Sequence, residues 1–323
     1  MTVENNVLMD GYDSSTGGYG GPPPSGGAAK LLVAGDLDIE KGDIYGDVEI
    51  GGTVRFTHPN GRLHGGNISY GEGLSPDPPG TNWDAGPDNW RAANASIEGP
   101  DSVGGLIDAR GETLRATDAN DNAATATVSA GRIQYGAAGP AETAVLSAGA
   151  YRLDDLVVGG DQTLVLDTSE GDIDVYVDGE LAIDRGEIAV VGDGRVNVYL
   201  QGDLSIEGRN GNREVRTGGE NATQFWVYAN PHATAEFGSK VSYTGVIYGP
   251  GRGPDPGVEL DLSSASSGSG IYGAFVGDVT TINNFDVHYD EALSNTETVQ
   301  RSSRAPAVTY VHASTNGVTI TAE

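Results

Sequence analysis

The chain has 323 residues and a mass of 33.2 kDa, room for one large domain or two ordinary ones. Its 46 Asp and Glu against 18 Lys and Arg give a formal net charge of −28, which excludes nucleic-acid backbones and anionic lipid as main partners. Cysteine is absent, and with it disulfides, thiolate metal sites and thiol nucleophiles.

Only Lys30, Lys41 and Lys240 are lysines. Acid excess, scarce lysine and 37% hydrophobic residues describe a surface that stays hydrated in concentrated salt. There the Debye length falls to roughly 3 Å and carboxylate self-repulsion is screened. We read the composition as that of a halophile rather than of an ordinary acidic protein. No apolar run is long enough to span a membrane, and Met1-Thr-Val-Glu-Asn-Asn6 has no signal-peptide character. The expectation is a cytosolic chain, or a mature or truncated form.

Glycine (50) and proline (15) are spaced between short alternating runs, so the chain reads as all-β with many tight turns. Residues 1–29 read as an irregular lead-in, with one short apolar patch, Val7-Leu-Met9. From residue 30 to about 73 come the first coils of a β-helix domain that extends to residue 293. Ser75-Pro-Asp-Pro-Pro-Gly80 opens an insertion, about 75–125, that carries Trp83 and Trp90 and should cover an end or flank. Within it Asp101-Ser102 would cap a short helix bearing Val103, Leu106, Ile107 and Leu114, and Asp118-Ala-Asn-Asp-Asn122 would stop it. Residues 294–306 read as a linker. In 307–323, Val308, Tyr310, Val318 and Ile320 alternate around Thr315-Asn-Gly317, which predicts a C-terminal β-hairpin. A hairpin is marginal alone, so it must pair. A coil edge of its own solenoid is favoured as partner over a neighbouring subunit.

Repeats specify the architecture. Val175-Tyr-Val-Asp-Gly-Glu-Leu-Ala-Ile183 matches Val198-Tyr-Leu-Gln-Gly-Asp-Leu-Ser-Ile206 at an offset of 23, and Gly35-Asp-Leu-Asp-Ile39 is a partial copy. Ile44-Tyr-Gly46, Ile247-Tyr-Gly249 and Ile271-Tyr-Gly273 form a second repeated unit. Short strands at such a period, with glycine at corners, predict a parallel β-helix (β-solenoid). Leu181, Ile183, Leu204 and Ile206 should then stack inward in rows.

Residues for chemistry are sparse, and no catalytic or cofactor-binding residue is assigned. The five histidines, His58, His64, His232, His288 and His312, show no metal-ligand spacing and read as turn or surface residues. Acid pairs such as Asp154-Asp155 and Asp172/Asp174 are expected by chance in so acidic a chain. The candidate metal ligands are Asp118, Asn120 and Asn122, which space oxygens as an EF-hand start does and would take Ca²⁺ or another cation. Ala123 stands where glycine belongs there, and Ser129 where the bidentate Glu belongs. Gly249-Pro-Gly-Arg-Gly-Pro254 lacks the Gly-Lys-Ser/Thr of a phosphate loop. Three sequons, at Asn67, Asn94 and Asn221, favour an exported glycoprotein.

Five segments together resemble one family. Asp10-Gly-Tyr-Asp-Ser-Ser-Thr-Gly-Gly-Tyr-Gly20 is similar to the lead-in of β-helical domains attached to pilin-like and type IV pilus-assembly proteins. Leu146-Ser-Ala-Gly-Ala-Tyr-Arg-Leu153 is similar to one of their coils. Gly270-Ile-Tyr-Gly-Ala-Phe-Val-Gly277 and Val287-His-Tyr-Asp-Glu-Ala-Leu293 look like their closing motifs. Val308-Thr-Tyr-Val-His-Ala-Ser-Thr-Asn-Gly-Val318 resembles the ending of a haloarchaeal branch.

The resemblance implies a right-handed β-helix displayed at the cell surface, without catalytic residues. Members carry an N-terminal apolar anchor, so membrane contact would come only through such a segment, and residues 1–29 contain none. Partners would be other surface or pilus proteins, or further copies of the chain. The expectation is a structural or adhesive module. The alternatives are a glycan-binding or glycan-cleaving β-helix, marked by exposed aromatics along a groove, and an intracellular cytoskeletal β-helix that polymerises through bare terminal coils.

Overall fold

Alternation along short strands sets the architecture. Gly42–Ile50 and Thr163–Asp167 bury every second residue, so each strand offers one apolar row. The structure is a computed structural model. It describes residues 1–21, 29–64, 66–75, 90–92, 103–116, 119–135, 142–208, 214–251, 256–263, 265–266, 268–296 and 311–314.

The fold is mostly β, and its strands pair in parallel in a solenoid-like stack. Each strand meets the equivalent strand of the next coil: Leu156 pairs with Leu181, Leu181 with Leu204, and Leu204 with Ala235. A second ladder runs through Thr163, Glu187 and on to Val215, and a third through Val175, Val198 and Val227. The 23-residue offset is realised as expected, for Val175 faces Val198 and Leu181 faces Leu204. Leu181, Ile183, Leu204 and Ile206 are each 1% exposed. Burial of such a side chain is worth about 1.5–3 kcal/mol, and stacking supplies it because one coil cannot close a core alone.

The Ile-Tyr-Gly units divide between two places. Gly46 (φ 125°) and Gly273 (φ 146°) turn one corner, where a Cβ would run into the carbonyls of Ala29 and Gly245. In the coil of Ile247-Tyr248-Gly249 that corner belongs to Gly245 (φ 149°), so the unit repeats in sequence without repeating in position.

The chain begins in the middle of the stack. Thr2–Val3 lies between Leu37–Ile39 and the end of Ser269–Ile282, and Val7–Tyr12 lies between Gly42–Ile50 and Phe285–Asp290. Residues 1–29 are therefore not merely an irregular lead-in, because two strands there join the stack on both sides. From this level the chain winds away to Gly73–Ser75, reaches the opposite end at Arg132–Tyr135, and winds back to Phe285–Asp290.

Val311–Ser314 pairs with Val276–Asp278 on one side and Leu31–Val33 on the other, completing the level at which the N-terminal strand enters. The partner lies within the chain, but the strand is inserted between two coils rather than added to an exposed coil edge as expected. The Thr315-Asn-Gly317 turn and the second hairpin strand lie outside the described residues. The expected linker at 294–306 starts late, since Glu291–Asn295 is a 3₁₀ turn with Leu293 buried.

Helix α1 (Gly104–Arg115) bears out the helix expected in the insertion, with Val103, Ile107 and Leu114 buried. It crosses the outside of Gly149–Leu153, Ile173–Val177, Val196–Leu200 and Phe225–Ala229. Gly111 permits the approach, because a Cβ there would lie 2.5 Å from the Tyr176 ring. Asp101 and Ser102 lie outside the described residues.

Candidate functional site at the junction of the chain ends

Phe285–Asp290 buries Phe285, Val287 and Tyr289 and turns Asp286, His288 and Asp290 towards the N-terminal strand. In parallel register Asp10 faces His288, and Tyr12 faces Asp290. The Asp286 carboxylate accepts the Leu8 N–H at 2.9 Å. His288 Nδ1 and Asp10 Oδ1 share a 2.6 Å hydrogen bond, with Asp10 fully buried and His288 4% exposed. Asp290, also fully buried, accepts N–H groups from Ser14, Ala222 and Ala292 at 3.0–3.1 Å.

Aromatic rings close over the pair. The Tyr19 ring lies 4.0 Å from the His288 ring and the Tyr272 ring 4.7 Å from it. Tyr19 donates its hydroxyl to Asp10 Oδ2 at 2.7 Å. Burial first, then the Asp10 hydrogen bond, pushes the Tyr19 phenol far above its ordinary pKa, so it stays a donor. Burial likewise raises the Asp286 carboxyl, opposed by the Leu8 N–H and the His288 charge.

The loop after Tyr12 is tied to a third segment. Tyr12 donates to the Glu220 carbonyl at 2.6 Å, and the Glu220 carboxylate accepts the Tyr19 N–H at 2.5 Å. Glu220 adopts φ 58°, a left-handed conformation that costs a non-glycine residue free energy of order 1–3 kcal/mol. At the preceding corner, Asn6 (φ 49°) sits on Asn284 (φ 53°), their amides joined at 2.9 Å. A cavity of about 10 Å³ beside Asp10, lined also by Lys30, Asp47 and Tyr289, has room for one water at most. This arrangement locks segments together. The pair itself is buried under a roof of Tyr19 and Tyr272.

His288 corrects the reading of the histidines as turn or surface residues. The signal was present in two sequence motifs, Asp10-Gly-Tyr12 and His288-Tyr-Asp290, whose adjacency only the register reveals. His64 is paired too, at 2.6 Å from Asp43 and stacked on Tyr45 at 4.2 Å.

The candidate cation ligands do other work. Asn120 donates to the carbonyls of Leu114 and Ala116, closing the end of α1. The Asn122 amide bonds both N–H and C=O of Arg152, at 3.0 and 2.5 Å. Asp121 meets Ala150 in the same fashion, and Thr127 donates to the Val145 carbonyl. Residues 120–127 thus cover the free edges of Thr143–Ser147 and Gly149–Leu153, and the side-chain oxygens of Asn120 and Asn122 accept backbone N–H groups of Asn122 and Arg152. Asp118 lies outside the described residues. Among the described residues no group of three or more His, Asp or Glu is placed to hold a metal.

The acid pairs are equally committed: Asp155 to Arg132 at 3.0 Å, Asp154 to Arg152 at 3.3 Å, Asp172 to the Arg195 N–H at 2.8 Å, and Asp174 to Arg110 and Asn197. Of the sequons, Asn67 is exposed and bonded to Asp47, whereas Asn221 is half-buried and caps a 3₁₀ turn by accepting the Thr223 N–H. Asn94 lies outside the described residues.

The outward row Tyr176, Tyr199 and Tyr228 is buried on the face that α1 crosses, with Tyr199 and Tyr228 stacked at 5.3 Å. Burial raises the Tyr176 and Tyr199 phenols to about 12. Arg110 lies 5.5 Å from the Tyr199 ring, and Arg195 lies 4.1 Å from that of Trp226. Among the described residues no helix is long and apolar enough to cross a membrane.

No curated protein and no solved structure matches the chain. One family model does match, over residues 86–296, from the insertion through the end of the returning coils. The chain belongs to that family, the domain of unknown function DUF7305.

Proposed function

We propose that the chain is a non-enzymatic, right-handed β-helical ectodomain of a pilin-like protein, serving adhesion or filament and surface assembly in a halophilic archaeon. The junction carries the reading. Of the motifs that resemble pilus-associated proteins, 10–20 lies far in sequence from 270–277 and 287–293, and the three meet as one lock. Buried polar residues that tie segments of the fold together suit a structural module. Parallel crossover connections are right-handed in about 98% of cases, which supports the handedness.

Two further features favour this reading over its alternatives. A glycan-binding β-helix presents aromatics to solvent, and here the outward tyrosine row is buried. A cytoskeletal polymer joins through bare terminal coils, and at one end residues 120–127 occupy the strand edges. The exposed sequon at Asn67 suits an exported protein.

Fractionation of source cells tests the reading. The protein should appear in surface or sheared-filament fractions, with a glycan on Asn67 by mass spectrometry. Recovery as an unmodified cytosolic polymer overturns it.

A further inference from the structure

Face by face, the stack continues without interruption from Phe285–Asp290 through Val311–Ser314 to Thr2–Val3 and Val7–Tyr12. One level is therefore assembled from both chain ends. On its third face a gap one strand wide separates Val276–Asp278 from Leu31–Val33. The width does not depend on the strand that fills it. Thr2–Val3 fixes the spacing on one face, and the pairing of Val7–Tyr12 with Phe285–Asp290 fixes it on another. With strands about 4.8 Å apart, the gap offers two facing rows of backbone donors and acceptors to a single extended segment.

The strand in that gap hangs on the longest tether at this corner: twenty residues separate it from Asp290, against sixteen between Tyr12 and Ala29 in the next level and four between Val191 and Val196. Fourteen of those twenty, extended at ~3.3 Å each, span about 46 Å, enough to reach another molecule. The arm beyond Thr296 carries Arg301 and Arg304 against Glu297 and Glu323, so it is close to neutral and adds little to the repulsion between two chains of net charge −28.

We propose that the gap is a strand-accepting site and that its exchangeable occupant is Val311–Ser314 of a second copy of this chain. In the closed monomer the arm fills its own gap. In the exchanged form the same backbone bonds form between copies, so the difference in free energy is mainly one of concentration. Repulsion between two acidic bodies opposes exchange in dilute buffer, and salt screens it. This rests on the structural reading above and names the partner in it, but its test needs only purified protein. A negative result leaves surface location untouched, and a cytosolic location leaves strand exchange untouched.

The cysteine-free background makes the test direct. Leu32 and His312 are register partners, so cysteines there would sit about 4.8 Å apart, within disulfide range. Full-length Leu32→Cys and full-length His312→Cys, one carrying a size tag, are mixed at high concentration in molar salt and oxidised. A covalent heterodimer is expected, its fraction rising about tenfold for a tenfold rise in concentration while it is scarce, as mass action requires. Excess synthetic peptide of residues 307–320 should suppress it. Absence of the heterodimer, while a Leu32→Cys/His312→Cys double variant closes within one chain, overturns the proposal. So does a heterodimer that the peptide leaves unchanged, or a double variant that does not close.

Discussion

Asp10 and His288 are 278 residues apart in the chain and 2.6 Å apart in the fold, both buried. Removing one partner of such a pair leaves the other in an apolar setting, at a cost of about 3–5 kcal/mol. Asp10→Ala and His288→Ala should each destabilise on that scale, and the double variant by clearly less than their sum. Denaturant unfolding at fixed molar salt measures the cycle. Additive losses would show that the two residues act independently.

Gly111 is where α1 touches the stack. Alanine raises intrinsic helix propensity by about 1 kcal/mol, yet its Cβ meets the Tyr176 ring at 2.5 Å. Overpacking of this kind costs about 1–3 kcal/mol, so Gly111→Ala should loosen the helix. Amide exchange across residues 104–115 should speed up in the variant, and unchanged protection would mean that the helix shifts freely over the tyrosines.

Leu204 is 1% exposed, between Leu181 and Ala235. Leu204→Ala should cost about 2–5 kcal/mol by lost transfer energy and a residual cavity. A loss under 1 kcal/mol in equilibrium unfolding would contradict its place in the stacked row.

Acid should weaken the first coils through Asp36. Its carboxylate accepts the Thr53 N–H at 2.8 Å and meets Arg55 at 2.7 Å. Those contacts, the backbone hydrogen bond foremost, hold its pKa below the ordinary value. A lowered folded pKa means that the contribution is complete above the unfolded carboxylate pKa and disappears as pH falls through the folded one. Melting of Asp36→Asn should therefore depend less on pH in that acidic window than melting of the parent chain. Parallel curves for the two proteins would exclude Asp36 as a source of the dependence.

The charge of −28 predicts a melting temperature that rises from dilute buffer to molar salt, as screening relieves repulsion among carboxylates. Identical melting at both salt concentrations would remove the halophile reading.

Local repetition made part of this fold legible. The matched residues around Leu181 and Leu204 fixed the register, because neighbouring coils are also neighbours in sequence. The 3–4 spacing of Val103, Ile107 and Leu114 did the same for α1. The mid-stack start was not legible, since Thr2 pairs with Thr281 and leaves no periodic trace over so long a separation. His288 was obscured for the same reason. Asn120 and Asn122 resembled cation ligands because a side chain that mimics a strand edge presents the same oxygens as one that binds calcium.

A mid-stack start also has a clock. At about 5–20 residues per second, the 278 residues between Asp10 and His288 take the ribosome roughly 14–56 s to add. Throughout that interval Val7–Tyr12 is already synthesised while the strand it must lie against does not yet exist. Until Phe285–Asp290 emerges, the nascent chain carries an unpaired strand edge along Val7–Tyr12 and Asp10 lacks its His288 partner, so this junction closes only after the returning coils have been made.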